Sequence, residues 1–288
     1  MNEQWIEQNG KSLYVKSEGK GDPILFLHGG PGGSLDYFLP EMEPLTNFMH
    51  VIFYDQKGCG KSPADPSGRY SIRDEVRDLE ALRVAMDLEK ITLFGESWGS
   101  ILALSYAVAY PEHVSGLILT AAIGLSSEDH LAFKNALLQK LGFRQKLKFG
   151  WYSILSGITD SSRQLERLLD PFYVHSQESL VRKKYISYNR EAQKQISRDI
   201  ESTYDLLPVI DRIQGLPILI AQGSHDILTP AYMEAQILPH LPNADLVEVR
   251  DSGHWTVLEK PVEMRGLVEM FMNRLAHFQI FKQGGSGS

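Results

Sequence analysis

Ile91-Thr92-Leu93-Phe94-Gly95-Glu96-Ser97-Trp98-Gly99-Ser100-Ile101-Leu102 decides how this chain is read. The apolar run Ile91 to Phe94 predicts a buried strand, and Ser100 to Ala107 predicts a helix. Between them stands G-x-S-x-G. A strand that turns sharply into a helix over those residues lifts a serine hydroxyl above the sheet. It also sets that hydroxyl at a helix N-terminus, where backbone N–H groups face developing negative charge. The glycines suit a turn so tight that a Cβ on either flank would strike neighbouring backbone. Ser97 is therefore the candidate nucleophile, weighed against the plainer role of helix cap.

Working outward, the same alternation recurs. Asn9-Gly10 between two strand-like stretches within residues 3–18 predicts a hairpin. Pro23–Leu27 and Val51–Tyr54 read as strands, and Ile72–Met86 as an amphipathic helix. Val114–Leu119 reads as the next strand. From about Ser126 to Leu207 no such strand is predicted, only Leu-, Lys-, Gln- and Arg-rich helical spacing. Pro217–Ala221 then reads as a strand, Pro230–Leu238 as a helix, Ala244–Val249 as a strand and Pro261–Phe281 as a closing helix. Short continuous apolar runs with helices between them predict a mostly parallel central sheet flanked by helices. The expected division is a core of residues 1–125 and 208–283, with a helical cap of residues 126–207 inserted after the sixth strand. Residues 284–288, Gly-Gly-Ser-Gly-Ser, read as a linker-like tail outside the fold.

A serine hydroxyl needs a base, and an imidazole base needs a carboxylate to orient it. With this elbow the chain order is Ser, then Asp or Glu, then His. Asp226, in Gly223-Ser224-His225-Asp226 after a strand, is the expected acid; helix capping is its plainer role. His254, in Asp251-Ser252-Gly253-His254 after the last strand, is the expected base. His225 and Asp251 are the decoys beside that pair; Asp251 would have to reach back only three residues to its own histidine. The oxyanion needs N–H donors, expected from Trp98 and from the loop His28-Gly29-Gly30-Pro31-Gly32-Gly33. Gly30 is the first choice there and Gly29 the second. No Lys-Ser/Thr pair follows that loop, so it is not a P-loop. His28 reads as a residue that holds the loop by hydrogen bonds.

The bulk composition narrows the rest. A length of 288 residues, 43% hydrophobic and 23% charged, fits a globular chain of one large or two small domains. The net charge of −7 argues against nucleic acid or anionic membrane as general partners. Five basic residues and no acid between Lys134 and Lys148 read as a solvated helix face. A single cysteine, Cys59, allows no intramolecular disulfide, and the absence of a signal-like start predicts a cytoplasmic protein. No cofactor or metal is expected, and the expected partner is a small-molecule or short-peptide substrate.

Three runs together carry a family resemblance: His28-Gly29-Gly30-Pro31-Gly32-Gly33, Asp55-Gln56-Lys57-Gly58-Cys59-Gly60-Lys61-Ser62, and Gly95-Glu96-Ser97-Trp98-Gly99-Ser100. They resemble the proline iminopeptidase (prolyl aminopeptidase) family of α/β-hydrolases. The second run has lysine where that family usually has two arginines. The resemblance implies an α/β-hydrolase fold, a Ser-His-Asp triad, an acyl-enzyme mechanism and a structural role for Cys59. It also implies lid carboxylates that hold a substrate's free amine. Ile200-Glu201-Ser202-Thr203-Tyr204 is similar to the family's Glu-Asn-His-Tyr-Phe segment, which makes Glu201 the candidate; its plainer role is a solvated helix face. The Trp-x-x-Trp-Glu segment of one branch has no counterpart here. Gly-Glu-Ser-Trp is also similar to the elbow of serine carboxypeptidases, which suggests that Glu96 reaches the pocket. The expected activity is an aminopeptidase releasing a small N-terminal residue such as proline. The alternatives are a carboxylesterase or lactonase, and a non-catalytic binder.

Overall fold

Apolar runs too short for helices pair into one sheet. The computed structural model describes residues 1–8, 10–155, 162–183, 186 and 188–284. Its strands are β1 (Asn2–Gln8), β2 (Lys11–Glu18), β3 (Pro23–Leu27), β4 (His50–Tyr54), β5 (Ile91–Glu96), β6 (Val114–Thr120), β7 (Ile218–Gly223) and β8 (Ala244–Val249). The eight strands lie in the order β1-β2-β4-β3-β5-β6-β7-β8. β1 and β2 pair antiparallel, as do β2 and β4; every other pairing is parallel. Asn9, expected in the hairpin turn, lies outside the described residues, as do residues 285–288 of the expected tail.

Successive side chains of a strand point to opposite faces. Leu25, Leu27, Leu93, Leu117 and Leu119 accordingly feed one core, and Ile24, Phe26, Phe94 and Ile118 the other. Both faces are covered. Helices α1 (Ile72–Ala85) and α2 (Trp98–Ala109) close one side. The closing helix covers the other through Met264, Val268 and Phe271. Between β6 and β7 run α3 (Ser127–Lys140), α4 (Phe143–Leu155), α5 (Ser162–Tyr173) and α6 (Arg190–Thr203). Their starts are chemically specified. Ser126 and Asp129 form a reciprocal capping box on α3, and the Asn189 side chain accepts the Ala192 N–H of α6.

The remaining helices are α7 (Pro230–Tyr232), α8 (Thr256–Glu259) and α9 (Pro261–Gly284). The helix expected over Pro230–Leu238 is not continuous. α7 opens into a π turn over Met233–Ile237 and a 3-10 turn over Leu238–His240. Pro239 has no N–H to continue the ladder, and its ring crowds the carbonyl of the preceding turn.

One buried charge cluster lies under the sheet's antiparallel side. Lys57 Nζ sits 3.8 Å from Asp65 and 3.7 Å from Asp78. Glu75 of α1 is buried beside it, and among the described residues neither of its carboxyl oxygens has a hydrogen-bond partner. Burial pushes the Glu75 carboxyl up from 4.5 to about 8. The folded chain therefore holds a proton that the unfolded chain has released. Stability from this group falls as pH rises from about 4.5 to about 8. Glu75→Gln cannot ionise, so its melting temperature should exceed that of the wild type by a margin that widens across that window. A margin that stays constant in thermal melts from acid to mild alkali would contradict this.

Candidate functional site

The elbow is built by close approach. A Cβ at Gly95 would lie 2.3 Å from the Gly99 carbonyl oxygen, and one at Gly99 would lie 2.0 Å from that of Leu27. Neither position accepts another residue without moving backbone. Ser97 itself sits at φ 54°, a conformation rare for a residue with a side chain. Its hydroxyl makes no cap bond to α2. A capping serine would be turned inward to the helix amides.

The Ser97 hydroxyl instead meets an imidazole. His254 Nε2 lies 3.0 Å from Ser97 Oγ, and His254 Nδ1 lies 2.7 Å from Asp226 Oδ1. All three follow parallel strands: Ser97 follows β5, Asp226 follows β7 and His254 follows β8. This is the edge of an open sheet where ligands bind. Asp226 is fixed from every side. Its Oδ1 also accepts the Ile227 N–H at 2.5 Å, and its Oδ2 accepts the Gln222 side-chain amide at 2.9 Å. Phe133 and Tyr173 rings stand 5.1 and 5.2 Å from the imidazole. The decoys stay apart: Asp251 is exposed, and His225 bonds Ser224 and packs tilted against His175.

The three sequence runs converge on one side chain. Gln56 receives the Trp98 indole N–H at 2.8 Å and donates to the His28 carbonyl at 3.0 Å. Its backbone N–H donates to His28 Nε2 at 3.1 Å, so His28 Nδ1–H donates to the Gly29 carbonyl. Burial holds the His28 imidazole neutral, down to about 4. The glycine loop and the elbow are thus pinned to each other. Gly29 and Gly30 line the space in front of Ser97. Among the described residues no acceptor faces the N–H of Gly30 or of Trp98. Both are available to an oxyanion.

That space is a cavity of about 180 Å³. Besides Ser97, His254 and the glycines it is lined by Tyr37, Glu96, Phe133, Leu165, Glu166, Leu169, Asp170, Tyr173, Lys183, Ile186, Tyr188 and Trp255 among the described residues. Glu96 is buried at its wall. The Tyr37 hydroxyl donates to Glu96 Oε1 at 2.5 Å, and Oε2 has no hydrogen-bond partner among the described residues. Burial, with the charge of Asp226 adding, pushes the Glu96 carboxyl well above the ordinary range. Asp170 is paired with Lys183 at 2.6 Å.

Glu201 does not reach this cavity, which corrects the expectation that it anchors a substrate amine. On α6 the residues Ala192, Ile196 and Ile200 face the core. One residue further, about 100° round the helix, Glu201 turns outward and pairs with Lys134 of α3. The lid carboxyls in the cavity are Glu166 and Asp170 of α5, which sequence reasoning missed. No spacing or motif marks them in a Leu- and Arg-rich helix. Also missed was Glu259. Its carboxylate accepts the N–H of Gly253 at 2.6 Å, of His175 at 3.0 Å and of Ser176 at 2.8 Å. It ties the His254 loop to the segment after α5.

The alpha/beta hydrolase fold family matches residues 22–261. A cis-3-alkyl-4-alkyloxetan-2-one decarboxylase of Shewanella oneidensis is 27% identical, over 93% of this chain and 87% of its own length. A proline iminopeptidase of Saccharolobus solfataricus is 28% identical, over 95% of this chain and 93% of its own. Among solved structures, a thermophilic esterase from Thermogutta terrifontis superposes with a TM-score of 0.75 at 22% identity, covering 96% of this chain and 99% of that one. At that identity the esterase supports the fold alone.

Proposed function

The chain belongs to the α/β-hydrolase family, and from that premise we propose that it is a serine hydrolase working through an acyl-enzyme, most specifically an aminopeptidase releasing a small N-terminal residue such as proline. His254 Nε2 takes the Ser97 proton as Oγ attacks the substrate carbonyl. The oxyanion is held by the N–H groups of Trp98 and Gly30, with Gly29 beside it. The proton passes to the leaving amine, which departs, and water then cleaves the acyl-enzyme by the same steps in reverse order of roles. Asp226 holds the imidazole in the tautomer that makes this work.

The observation that carries the amine reading is Glu96. A carboxyl buried next to Ser97 with one oxygen unpartnered is costly unless a substrate group completes it. An ammonium does so and draws the Glu96 carboxyl into its charged form; Glu166 lines the same cavity, where Asp170 is already paired with Lys183. The proline iminopeptidases among the relatives support the same reading. A carboxylesterase is the second reading, favoured by the apolar wall of Leu165, Leu169 and Ile186.

A turnover panel separates them: proline, alanine and leucine arylamides beside p-nitrophenyl acetate and butyrate. The amine reading expects arylamide turnover that requires the free amine. It further expects Glu96→Gln to lower kcat/KM for those arylamides by roughly 10- to 150-fold, the worth of a charge-assisted contact of about 1.5–3 kcal/mol. Hydrolysis of the neutral esters should hardly change. An equal loss on both substrate types would remove Glu96 as the anchor, and activity on esters alone would select the second reading.

A further inference from the structure

Helix α4 carries an apolar ridge that faces solvent. Phe143, Leu147 and Trp151 are 78%, 60% and 63% exposed. They are spaced by four residues, so they advance by about 40° at each step and form one stripe about 80° wide. Cations bracket it. On the same helical wheel Lys146 lies about 60° to one side, and Arg144 and Lys148 lie about 20° and 60° beyond Trp151 on the other. All three are exposed, and among the described residues none has an ion-pair partner. The helix turns its half-buried Gln145, Phe149 and Tyr152 the opposite way. The solvated basic face expected from the sequence therefore has an apolar centre.

Charge is segregated as well. The chain is −7 overall, yet Lys134 to Lys148 holds five basic residues and no acid. An apolar stripe of aromatic and aliphatic side chains flanked by cations on both sides is the design of a helix that lies in a lipid interface. The ridge lies along one exposed face of a single helix, which suits a plane. No described helix is long and apolar enough to cross a bilayer. We propose that α4 docks this protein, lid first, on an anionic bilayer surface. Trp151, Leu147 and Phe143 enter the headgroup boundary, and Arg144, Lys146 and Lys148 pair with lipid phosphates. The acidic remainder of the molecule is repelled and faces the water.

The test is sedimentation of the full chain with vesicles. Vesicles of equal parts phosphatidylcholine and phosphatidylglycerol should bind it at low salt. Binding should weaken as salt rises and the screening length shrinks to about 3 Å near 1 M. Phosphatidylcholine vesicles should bind at least ~10-fold less. The double variant Leu147→Glu, Trp151→Glu should lower partitioning on anionic vesicles by about 10-fold or more, as should Lys146→Glu with Lys148→Glu. Each variant should keep wild-type ester turnover in vesicle-free buffer, which reports an intact fold. Independently of the charge variants, brominated lipid should quench the fluorescence of the wild type, and that quenching should be largely lost in Trp151→Phe. No binding to anionic vesicles at low salt would overturn the proposal, as would binding that the Leu147 and Trp151 changes leave unmoved. Self-association that those changes abolish, without vesicle binding, would reassign the ridge to contact between copies of the chain.

Discussion

Ser97→Ala is expected to lower kcat by a factor on the order of 10⁶ while leaving the fold intact. In the proposed mechanism the substitution removes the atom that bonds to substrate carbon, and what remains is binding and the proposed oxyanion N–H groups. The fold should survive because the hydroxyl contributes no cap bond to α2 and, among the described residues, its hydrogen-bonded neighbour is His254. The strained φ of 54° stays. Single-turnover and steady-state assays on the best arylamide and ester, with circular dichroism as the control, check it. A variant that keeps a tenth of the wild-type rate would remove Ser97 from the mechanism.

Asp226→Asn is expected to lower kcat by roughly 10⁴. The surroundings explain why an amide cannot substitute. Oδ2 faces the Gln222 amide nitrogen, and Oδ1 faces both the Ile227 N–H and the imidazole. Gln222 cannot turn to help, since its Oε1 accepts the Ala122 N–H and its Nε2 also donates to the Leu228 carbonyl. An asparagine must set its NH₂ against a donor or against His254 Nδ1. In the second case the imidazole carries its proton on Nε2, where Ser97 needs an acceptor. Asp251→Asn should cost far less, because Asp251 is exposed and the imidazole Nδ1 pairs with Asp226. Equal losses from the two changes would mean that the acid is misassigned.

Much of this arrangement is legible before any coordinates. The parallel strands are short apolar runs, and a sheet buried on both faces has no other economical reading. Ser97, Asp226 and His254 stand out because each follows such a run, so their chain positions already place them at one sheet edge. Glu201 shows where this fails. Segment likeness selects a residue by its neighbours in sequence, whereas a helix decides by angle, and one step past Ile200 points to solvent. Glu166 and Asp170 are hidden for a related reason. Their helix α5 reaches the cavity only through the packing of the lid, which no local pattern encodes. The irregularity before Pro239 in the helix after Pro230 could have been read directly, since a proline past the first helical turn has no N–H for the ladder. Gln56 lies between these cases. Its run is conspicuous, but that one amide joins the glycine loop to the elbow is visible only in three dimensions.

The Glu259 carboxylate has a kinetic consequence. Three amide hydrogens, those of Gly253, His175 and Ser176, end on one side chain. Exchange of any of them with solvent requires that the carboxylate let go, and a carboxylate that lets go of one loses its place for the others. The imidazole loop and the lid segment after α5 therefore belong to a single cooperative opening unit, with one opening free energy rather than two. Opening of the segment after α5 and displacement of His254 become the same event.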